Sequence, residues 1–267
     1  MPTVAEAGKP SATRWEEEQL VGDEACPRPA ATLAPQAVRS RSRGEFERFA
    51  AGPPFGRGPA AIKLYITPLS PYACMARIVM VEKRLEARVE VIEARTRVAG
   101  SPYYAINPSG RVPYLVRDDG VGMEGSELIC EYLDRIDGTP AFAPPSGEQG
   151  LELRRLEASA RSMMDGLTVW GRELRHRPEE ERSPTILEHE HERERSRRMA
   201  DLWEKEIDHP LMRGPFNLAQ VTLACALLYE SQILRSPWRE GHPKLAAWLD
   251  EMARRPSVAA TIPPGGL

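Results

Sequence analysis

The stretch Asn107-Pro108-Ser109-Gly110-Arg111-Val112-Pro113-Tyr114-Leu115 carries more structural information than any other part of this sequence. Its first half is rich in residues that favour turns, with Asn107-Pro108 followed closely by Gly110. Its second half leads into a short predicted strand, Tyr114-Leu115-Val116. Pro113 therefore lies where the turn passes into the strand.

The residues before this stretch predict a strand, a turn and a helix in succession. Ile62, Leu64 and Ile66 alternate with other side chains, and this period of two is typical of a strand. Pro71 suits the first position of the following helix, because its missing N–H would have no partner there. A second strand is predicted at Val89-Glu90-Val91-Ile92.

The residues after the stretch predict a fourth strand and a second helix. The third strand turns through Asp118-Asp119-Gly120 into a short strand at residues 121–123. Ser126 is a good residue to cap the helix that follows. Apolar side chains then recur at helical spacing, at Ile129, Tyr132, Leu133 and Ile136.

The second half of the sequence predicts helices that follow a turn-rich linker at residues 139–149. These helices are expected at about 150–176, at about 184–206, from Asn217 onward and at about 243–254. Asn217 and Gln220 have the spacing of a capping box. The segment that begins there is apolar nearly all round, which indicates the buried central helix of a bundle.

These patterns divide the sequence into a disordered extension at residues 1–60, a sheet-containing domain at 61–138, the linker at 139–149 and a helical domain at 150–267. The extension is rich in Pro, Ala, Gly and Arg, and such a segment cannot bury enough apolar surface to offset its conformational entropy. Its acidic residues argue against a transit peptide. The alternative to a disordered extension is that the start of the protein has been misassigned upstream of its true position.

Composition excludes several classes of function. A formal net charge of -3 with 28% charged residues gives no reason to expect a nucleic-acid partner. We expect no membrane-spanning segment and no secretory signal, because no apolar run is long enough and the N-terminus lacks the pattern. The cysteines are too far apart in sequence for a CxxC pair or a metal-binding set, so we expect a reduced, cytoplasmic protein. They are Cys26, Cys74, Cys130 and Cys225.

Three elements occur in the order and at about the spacing found in cytosolic glutathione S-transferases: Ser70-Pro71-Tyr72, the stretch 107–115 and the segment opened by Ser126. The sequence resembles that family from about residue 62 to about residue 263. The resemblance implies an α+β fold, in which an N-terminal thioredoxin-like βαβ-ββα domain precedes an all-α helical bundle. It also implies glutathione as co-substrate and a homodimer.

Ser70 is the predicted catalytic residue. It lies at a helix N-terminus, where free N–H groups and the helix dipole stabilise an anion. Such surroundings lower a thiol pKa from about 8.5 to about 3.5–7.5. In serine-type members of the resembled family, the matching serine stabilises the glutathione thiolate. The alternative is that Ser70 only caps the helix.

Val112 and Pro113 are predicted to bind the cysteinyl part of glutathione. In the resembled family the peptide bond before this proline is cis, which turns the backbone of the preceding residue outward. The N–H and C=O of Val112 would then pair with the ligand as a strand does. The alternative is an ordinary trans proline at the start of a strand.

Ser126 is predicted to hold the γ-glutamyl carboxylate of glutathione at a helix N-terminus. The resembled family usually has Glu or Asp immediately before this serine, whereas this sequence has Gly125 there and Glu124 one place earlier. We expect Glu124 to take over the role of the acid, helped by the conformational freedom of Gly125. Arg111 either binds a ligand carboxylate or is a solvated surface residue.

Two further patterns are interpreted as structural. The run Glu188-His189-Glu190-His191-Glu192 resembles a metal-binding tract, but His189 and His191 point about 200° apart on a helix and cannot share an ion. Together with the charged residues up to Arg198, it predicts a solvated helix face, and no metal site is expected. Cys74 is interpreted as a buried structural thiol.

The sequence as a whole predicts an enzyme that adds the glutathione thiolate to a small hydrophobic electrophile, as in detoxification. Met163, Met164 and Trp170 either shape an apolar pocket for that electrophile or pack in the core. An isomerase, a dehalogenase or a disulfide reductase on the same scaffold is one alternative. A non-catalytic binding or assembly module is another, and Gly125 is a feature that favours it.

Overall fold

The computed structural model describes residues 62–184 and 191–262. A four-stranded sheet and two helices form the first part of this range. The elements are β1 (Ile62–Ile66), α1 (Pro71–Glu82), β2 (Val89–Glu93), β3 (Tyr114–Val116), β4 (Gly122–Glu124) and α2 (Ser126–Arg135). The strand order is β2-β1-β3-β4, with β1 and β2 parallel and the other neighbours antiparallel. This is the predicted thioredoxin-like arrangement.

The alternation predicted for β1 is present, but both faces of the strand are covered. Ile62, Leu64 and Ile66 pack in the main hydrophobic core. Tyr65 points to the other face, where it is also buried and its ring lies 5.6 Å from that of Tyr103. Tyr103 belongs to a 3₁₀ turn, Pro102–Ala105, which covers this face of the sheet just before the turn that leads into β3.

The second part of the described range is helical, as predicted. Its elements are α3 (Gly147–His176), α4 (His191–Glu206), α5 (Pro210–Arg213), α6 (Leu218–Tyr229), a π-helical turn (Glu230–Leu234), α7 (Pro243–Ala253) and α8 (Pro256–Ala259). A 3₁₀ turn at Glu179–Glu181 follows α3. α3 begins slightly earlier than predicted, within the expected linker.

The central helix α6 is confirmed in detail. The Asn217 side chain accepts from the N–H of Gln220 at 3.1 Å, and the Gln220 side chain accepts from the N–H of Asn217 at 3.0 Å. These two bonds satisfy amide donors that would otherwise lack partners at the helix start. Every residue from Ala219 to Tyr229 is buried, with α3 and α1 packed against the helix.

One hydrophobic core continues from the sheet into the helices, from Ile62 to Val258. α1 lies at its centre and packs against α2, α6 and α8. All described residues belong to one compact unit, Gly56–Leu267, so the predicted division into domains at 139–149 stays a prediction. The predicted extension at 1–60 and most of the tract at 188–192 lie outside the described residues.

The prediction of a solvated face is wrong for Glu192, the last residue of the charged tract. The residue is 7% exposed, and its side chain lies against α3 at Gly166, where an added Cβ would be 2.7 Å from Glu192 Oε2. Arg195 lies 3.5 Å from the same carboxylate. A glycine on the neighbouring helix therefore admits a charged side chain into the interface, which the pattern of charges along α4 alone does not predict.

Candidate functional site

A cleft of about 1000 Å³ lies between the loops of the sheet and the polar face of α3. It is the place where the sequence-predicted site residues meet, although they come from three separate segments. The cleft is lined by all seven of them: Ser70, Arg111, Val112, Pro113, Glu124, Gly125 and Ser126.

Ser70 is the N-cap of α1. Its Oγ accepts a hydrogen bond from the N–H of Ala73 at 3.3 Å, so the capping role is present. The hydroxyl hydrogen has no acceptor among the residues that the structure describes. Ser70 can therefore cap its helix and still donate a hydrogen bond into the cleft.

The Val112–Pro113 peptide bond is cis, as the resemblance implied. Two hydrogen bonds to the Arg111 carbonyl hold the turn before it in place. This oxygen accepts a hydrogen bond from the Tyr103 hydroxyl at 2.5 Å and another from Asn107 Nδ2 at 3.0 Å. Asn107 is only 2% exposed, so this anchor is built into the interior. Neither the N–H nor the C=O of Val112 has a hydrogen-bond partner within residues 62–184 and 191–262.

The prediction that Ser126 caps α2 is wrong. Gly125 occupies the N-cap position, with φ +97°, and Ser126 is the first helical residue of α2. Ser126 is 5% exposed, and its Oγ accepts from Arg161 Nη1 of α3 at 3.0 Å. Among the residues that the structure describes, no side chain caps α2. The N–H groups of its first turn therefore remain available to an anion.

Glu124 ends β4 and reaches the wall of the cleft through Ser109. The Ser109 hydroxyl donates to Glu124 Oε1 at 2.6 Å, and the same Oγ accepts from the N–H of Arg111 at 3.2 Å. Gly125 separates this carboxylate from Ser126. Apart from Gly125 itself and its two chain neighbours, no atom of the described residues lies within 4 Å of where a Cβ on Gly125 would be, so its positive φ, and not a lack of space, favours glycine there.

A row of polar residues on α3 forms the opposite wall and was not predicted. Its members up to Arg175 recur every three or four residues, and His176 lies four residues after Arg172, so they share one face of the helix. They are Arg161, Asp165, Thr168, Arg172, Arg175 and His176. The spacing was visible in the sequence, but nothing in it showed that this face meets the sheet.

Arg161 and Asp165 tie this row to the first part of the chain. Besides holding Ser126, Arg161 forms an ion pair with Glu157 one turn earlier. The Tyr72 hydroxyl of α1 donates to Asp165. Burial, followed by this hydrogen bond, raises the pKa of Tyr72 to about 12. The phenol is therefore protonated at neutral pH and its proton is committed to Asp165.

Cys74 lies behind the cleft and not in it. It is buried, and its Sγ contacts Thr261 Oγ1 at 3.4 Å, which agrees with a structural thiol. Cys130 and Cys225 are also free and buried. Within the described ranges, no three side chains of His, Cys, Asp or Glu are grouped as a metal site requires, and no helix combines the length and apolar character needed to cross a membrane.

A sheet of this order, joined to a helical bundle with a cleft between them, defines a two-part thioredoxin-like protein. A family model, the N-terminal domain of glutathione S-transferases, matches residues 64–141. The uncharacterized GST-like protein YibF of Escherichia coli (strain K12) is 31% identical over 205 residues, which cover 76% of this chain and 99% of YibF. The chain belongs to the glutathione S-transferase family.

Solved structures agree with this assignment. A glutathione transferase family member from Pseudomonas fluorescens Pf-5 with bound glutathione superposes with a TM-score of 0.67 at 31% identity, covering 76% of this chain and 99% of that one. A second structure from the same organism holds S-(propanoic acid)-glutathione, with a TM-score of 0.66, 31% identity and coverage of 76% and 100%.

Proposed function

We propose that this protein is a glutathione transferase, which binds glutathione in the cleft and activates its thiol for attack on an electrophile. The observation that supports this most is the free backbone of Val112. Its N–H and C=O lack partners in the described structure, and they adjoin a turn that is anchored by buried side chains. An extended peptide can pair with such a backbone segment as an added strand does.

In this proposal Val112 pairs with the cysteinyl residue of glutathione, and Pro113 shapes the turn that presents it. Ser70 donates its hydroxyl hydrogen to the thiolate at the N-terminus of α1. Both the hydrogen bond and the helix dipole favour the thiolate over the thiol. Most of the rate enhancement then comes from a lowered thiol pKa and from positioning.

The γ-glutamyl group has a carboxylate and an ammonium, and the cleft offers a partner for each. Ser126 and the free amides of α2 would bind the carboxylate, with Arg161 holding the Ser126 oxygen in place. Glu124, kept at the wall by Ser109, would accept from the ammonium. Arg111 would bind the second carboxylate of the tripeptide.

The product would be a thioether of glutathione. The bound S-(propanoic acid)-glutathione of the Pseudomonas relative is a compound of this kind and supports the proposal. A homodimer in the cytoplasm and a role in detoxification, both expected from the family resemblance, remain part of the same proposal.

The test is isothermal titration of reduced glutathione into the full chain. We expect one site per subunit with a dissociation constant between micromolar and millimolar. The midpoint temperature of thermal unfolding should also rise at saturating glutathione, because a ligand that binds only the folded state stabilises it. If the titration shows no heat and millimolar glutathione does not shift unfolding, the proposed function is wrong.

A further inference from the structure

The end of the cleft beyond Asp165 is more basic than a pocket for an apolar electrophile requires. Arg97, from the loop after β2, and Arg172 and Arg175, from the last turns of α3, line it together. We call these three residues the arginine cluster. Neither Arg97, Arg172 nor Arg175 forms an ion pair with a carboxylate in the part of the chain that the structure describes. The cluster therefore has unbalanced positive charge.

The guanidinium group of Arg97 lies close enough to Arg172 and Arg175 to be affected by the charges of both. The pKa of Arg97 lies below its ordinary value, because of partial burial first and of the nearby charge of Arg172 second. The pKa of His176 is lowered by burial and then by Arg97, Arg175 and Arg172. Like charges brought together without a counter-ion repel, and an anion bound between them would relieve that repulsion.

Two local features accompany the cluster. Arg97 has φ +58°, a left-handed conformation that is uncommon for residues other than glycine and often marks a functional position. On α3, Gly171 leaves room for Tyr229, since an added Cβ would lie 2.0 Å from the Tyr229 hydroxyl. The Tyr229 phenol then sits beside Arg175 and adds a further donor to the cleft.

The apolar side chains that were candidates for an electrophile pocket are elsewhere. Met163 and Met164 are 1% and 0% exposed and belong to the core. Trp170 packs against the same core, and none of the three lines the cleft. The α3 wall therefore presents Thr168, Val169 and two arginines to a bound co-substrate instead of a hydrophobic surface.

We propose that the electrophile carries a carboxylate, which the arginine cluster and Tyr229 bind while the electrophilic carbon lies toward Ser70. This inference rests on the proposed function, because it assigns the co-substrate of that same site. Arginine suits the role, since its planar guanidinium binds a carboxylate with two parallel hydrogen bonds. The electrophilic carbon belongs to a C=C double bond conjugated with the carboxylate. The S–H bond and the C=C π bond break, the C–S bond forms, the thiol proton passes to solvent, and a proton from solvent adds to the carbon next to the carboxylate.

The test compares two product analogues that differ only in charge, S-(2-carboxyethyl)glutathione and its neutral amide, S-(2-carbamoylethyl)glutathione. Titration into the full wild-type chain should show the acid binding about 10- to 100-fold more tightly than the amide, the range expected for charge-assisted hydrogen bonds. In the double variant Arg172→Gln/Arg175→Gln the acid should lose most of this advantage. The affinities for glutathione and for the amide should stay within a few-fold.

Two controls accompany the double variant. Arg154→Gln removes one charge from an exposed position of the same helix outside the cleft and should retain the full preference for the acid. Arg172→Lys/Arg175→Lys keeps the charge but loses the bidentate geometry, and should retain part of it. Thermal unfolding of each variant with and without glutathione confirms that the fold and the neighbouring site are intact.

The outcomes separate this inference from the proposed function. Absence of glutathione binding in the wild type would overturn both. If glutathione binds but the acid and the amide bind equally, only the inference is overturned. It is also overturned if the preference for the acid survives in the double glutamine variant, or if glutathione affinity falls as far as that of the acid, because the cluster would then belong to the glutathione site.

Discussion

The Tyr72 hydroxyl, in the first turn of α1, donates a hydrogen bond to the Asp165 carboxylate of α3, and it lies 3.2 Å from Thr168 Oγ1. The helix that begins beside Ser70 is thereby joined to α3, the helix that carries two members of the arginine cluster, Arg172 and Arg175. In the proposed reaction the two substrates bind on opposite sides of this contact. The Tyr72–Asp165 hydrogen bond is therefore a structural link between the two halves of the cleft, beside the hydrogen bond from Arg161 to Ser126.

Replacement of Tyr72 by Phe removes this link. We expect the free energy of unfolding to fall by about 1 kcal/mol, the usual net worth of such a hydrogen bond, and turnover to fall less than in Ser70→Ala. Tyr132→Phe is the matched control, because Tyr132 is also half-buried but its hydroxyl makes no hydrogen bond to the described residues. Denaturant titration of the three proteins measures the difference. A Tyr72→Phe protein as stable as wild type would show that the contact contributes nothing.

Replacement of Ser70 by Ala tests the proposed activation of the thiol. Turnover at neutral pH should fall about 10- to 100-fold. The reason is that the fraction of glutathione present as thiolate falls about tenfold for each unit by which the thiol pKa rises. Glutathione affinity should stay within a few-fold. The rising limb of kcat/KM against pH should move to higher pH, so activity recovers as the solution becomes alkaline.

The same variant separates activation from capping. Loss of the cap alone lowers stability by about 1 kcal/mol and leaves the pH profile where it was. Ser146→Ala serves as the reference, because Ser146 precedes α3 without a side-chain capping bond and lies outside the cleft. Unchanged turnover together with reduced stability in Ser70→Ala would restrict Ser70 to the structural role.

Replacement of Gly125 by Ala tests the junction that departs from the family pattern. A side chain is strained at φ +97°, so we expect a loss of about 1–2 kcal/mol in stability and weaker glutathione binding as Ser126 shifts. Gly120→Ala is the matched control, because Gly120 has φ +82° and equally open surroundings but lies outside the cleft. The two variants should be destabilised alike, and only the first should bind glutathione less well. Equal glutathione affinity in both would place Gly125 outside the binding site.

The burial of Glu230 leads us to expect that the stability of the protein depends on pH. It is fully buried in the turn after α6, where it accepts from Ser196, and burial raises its pKa to about 7. The folded state therefore binds this proton more tightly than the unfolded state, in which the carboxyl has its ordinary pKa of 4.5. Stability from this group is complete below pH 4.5 and is lost as the pH rises through about 7, by about 3 kcal/mol in total.

The variant Glu230→Gln should remove that dependence. We expect it to be more stable than wild type above pH 7 and about equally stable near pH 4.5, as measured by denaturant titration at several pH values. Glu240→Gln changes an exposed carboxylate nearby and should leave the wild-type pH dependence in place. Parallel stability curves for wild type and Glu230→Gln would show that Glu230 is ionised at no cost in the folded protein.

Local patterns were sufficient for much of the fold. The alternation in β1, the capping box at Asn217 and Gln220, and the turn before Pro113 each involve residues a few positions apart, so backbone geometry and nearby side chains determine them. Seven residues that line the cleft from the first half of the chain were predicted, because short motifs carry the family resemblance, whereas Arg97 in the same half was not. The N-cap of α2 was predicted one residue too late, at Ser126, because Gly125 occupies that position with a positive φ. The residue types around Gly125 do not indicate this conformation.

The opposite wall of the cleft was decided only by tertiary structure. Arg161 meets Ser126, Tyr72 meets Asp165 from 93 positions away, and Arg97 approaches Arg172 across the cleft. The polar row on α3 is periodic in the sequence, but its period is equally compatible with a solvated helix face. Which side of a helix faces a sheet depends on how the buried apolar surfaces of all elements pack together, and that packing, rather than any local preference, brings these charges to the cleft.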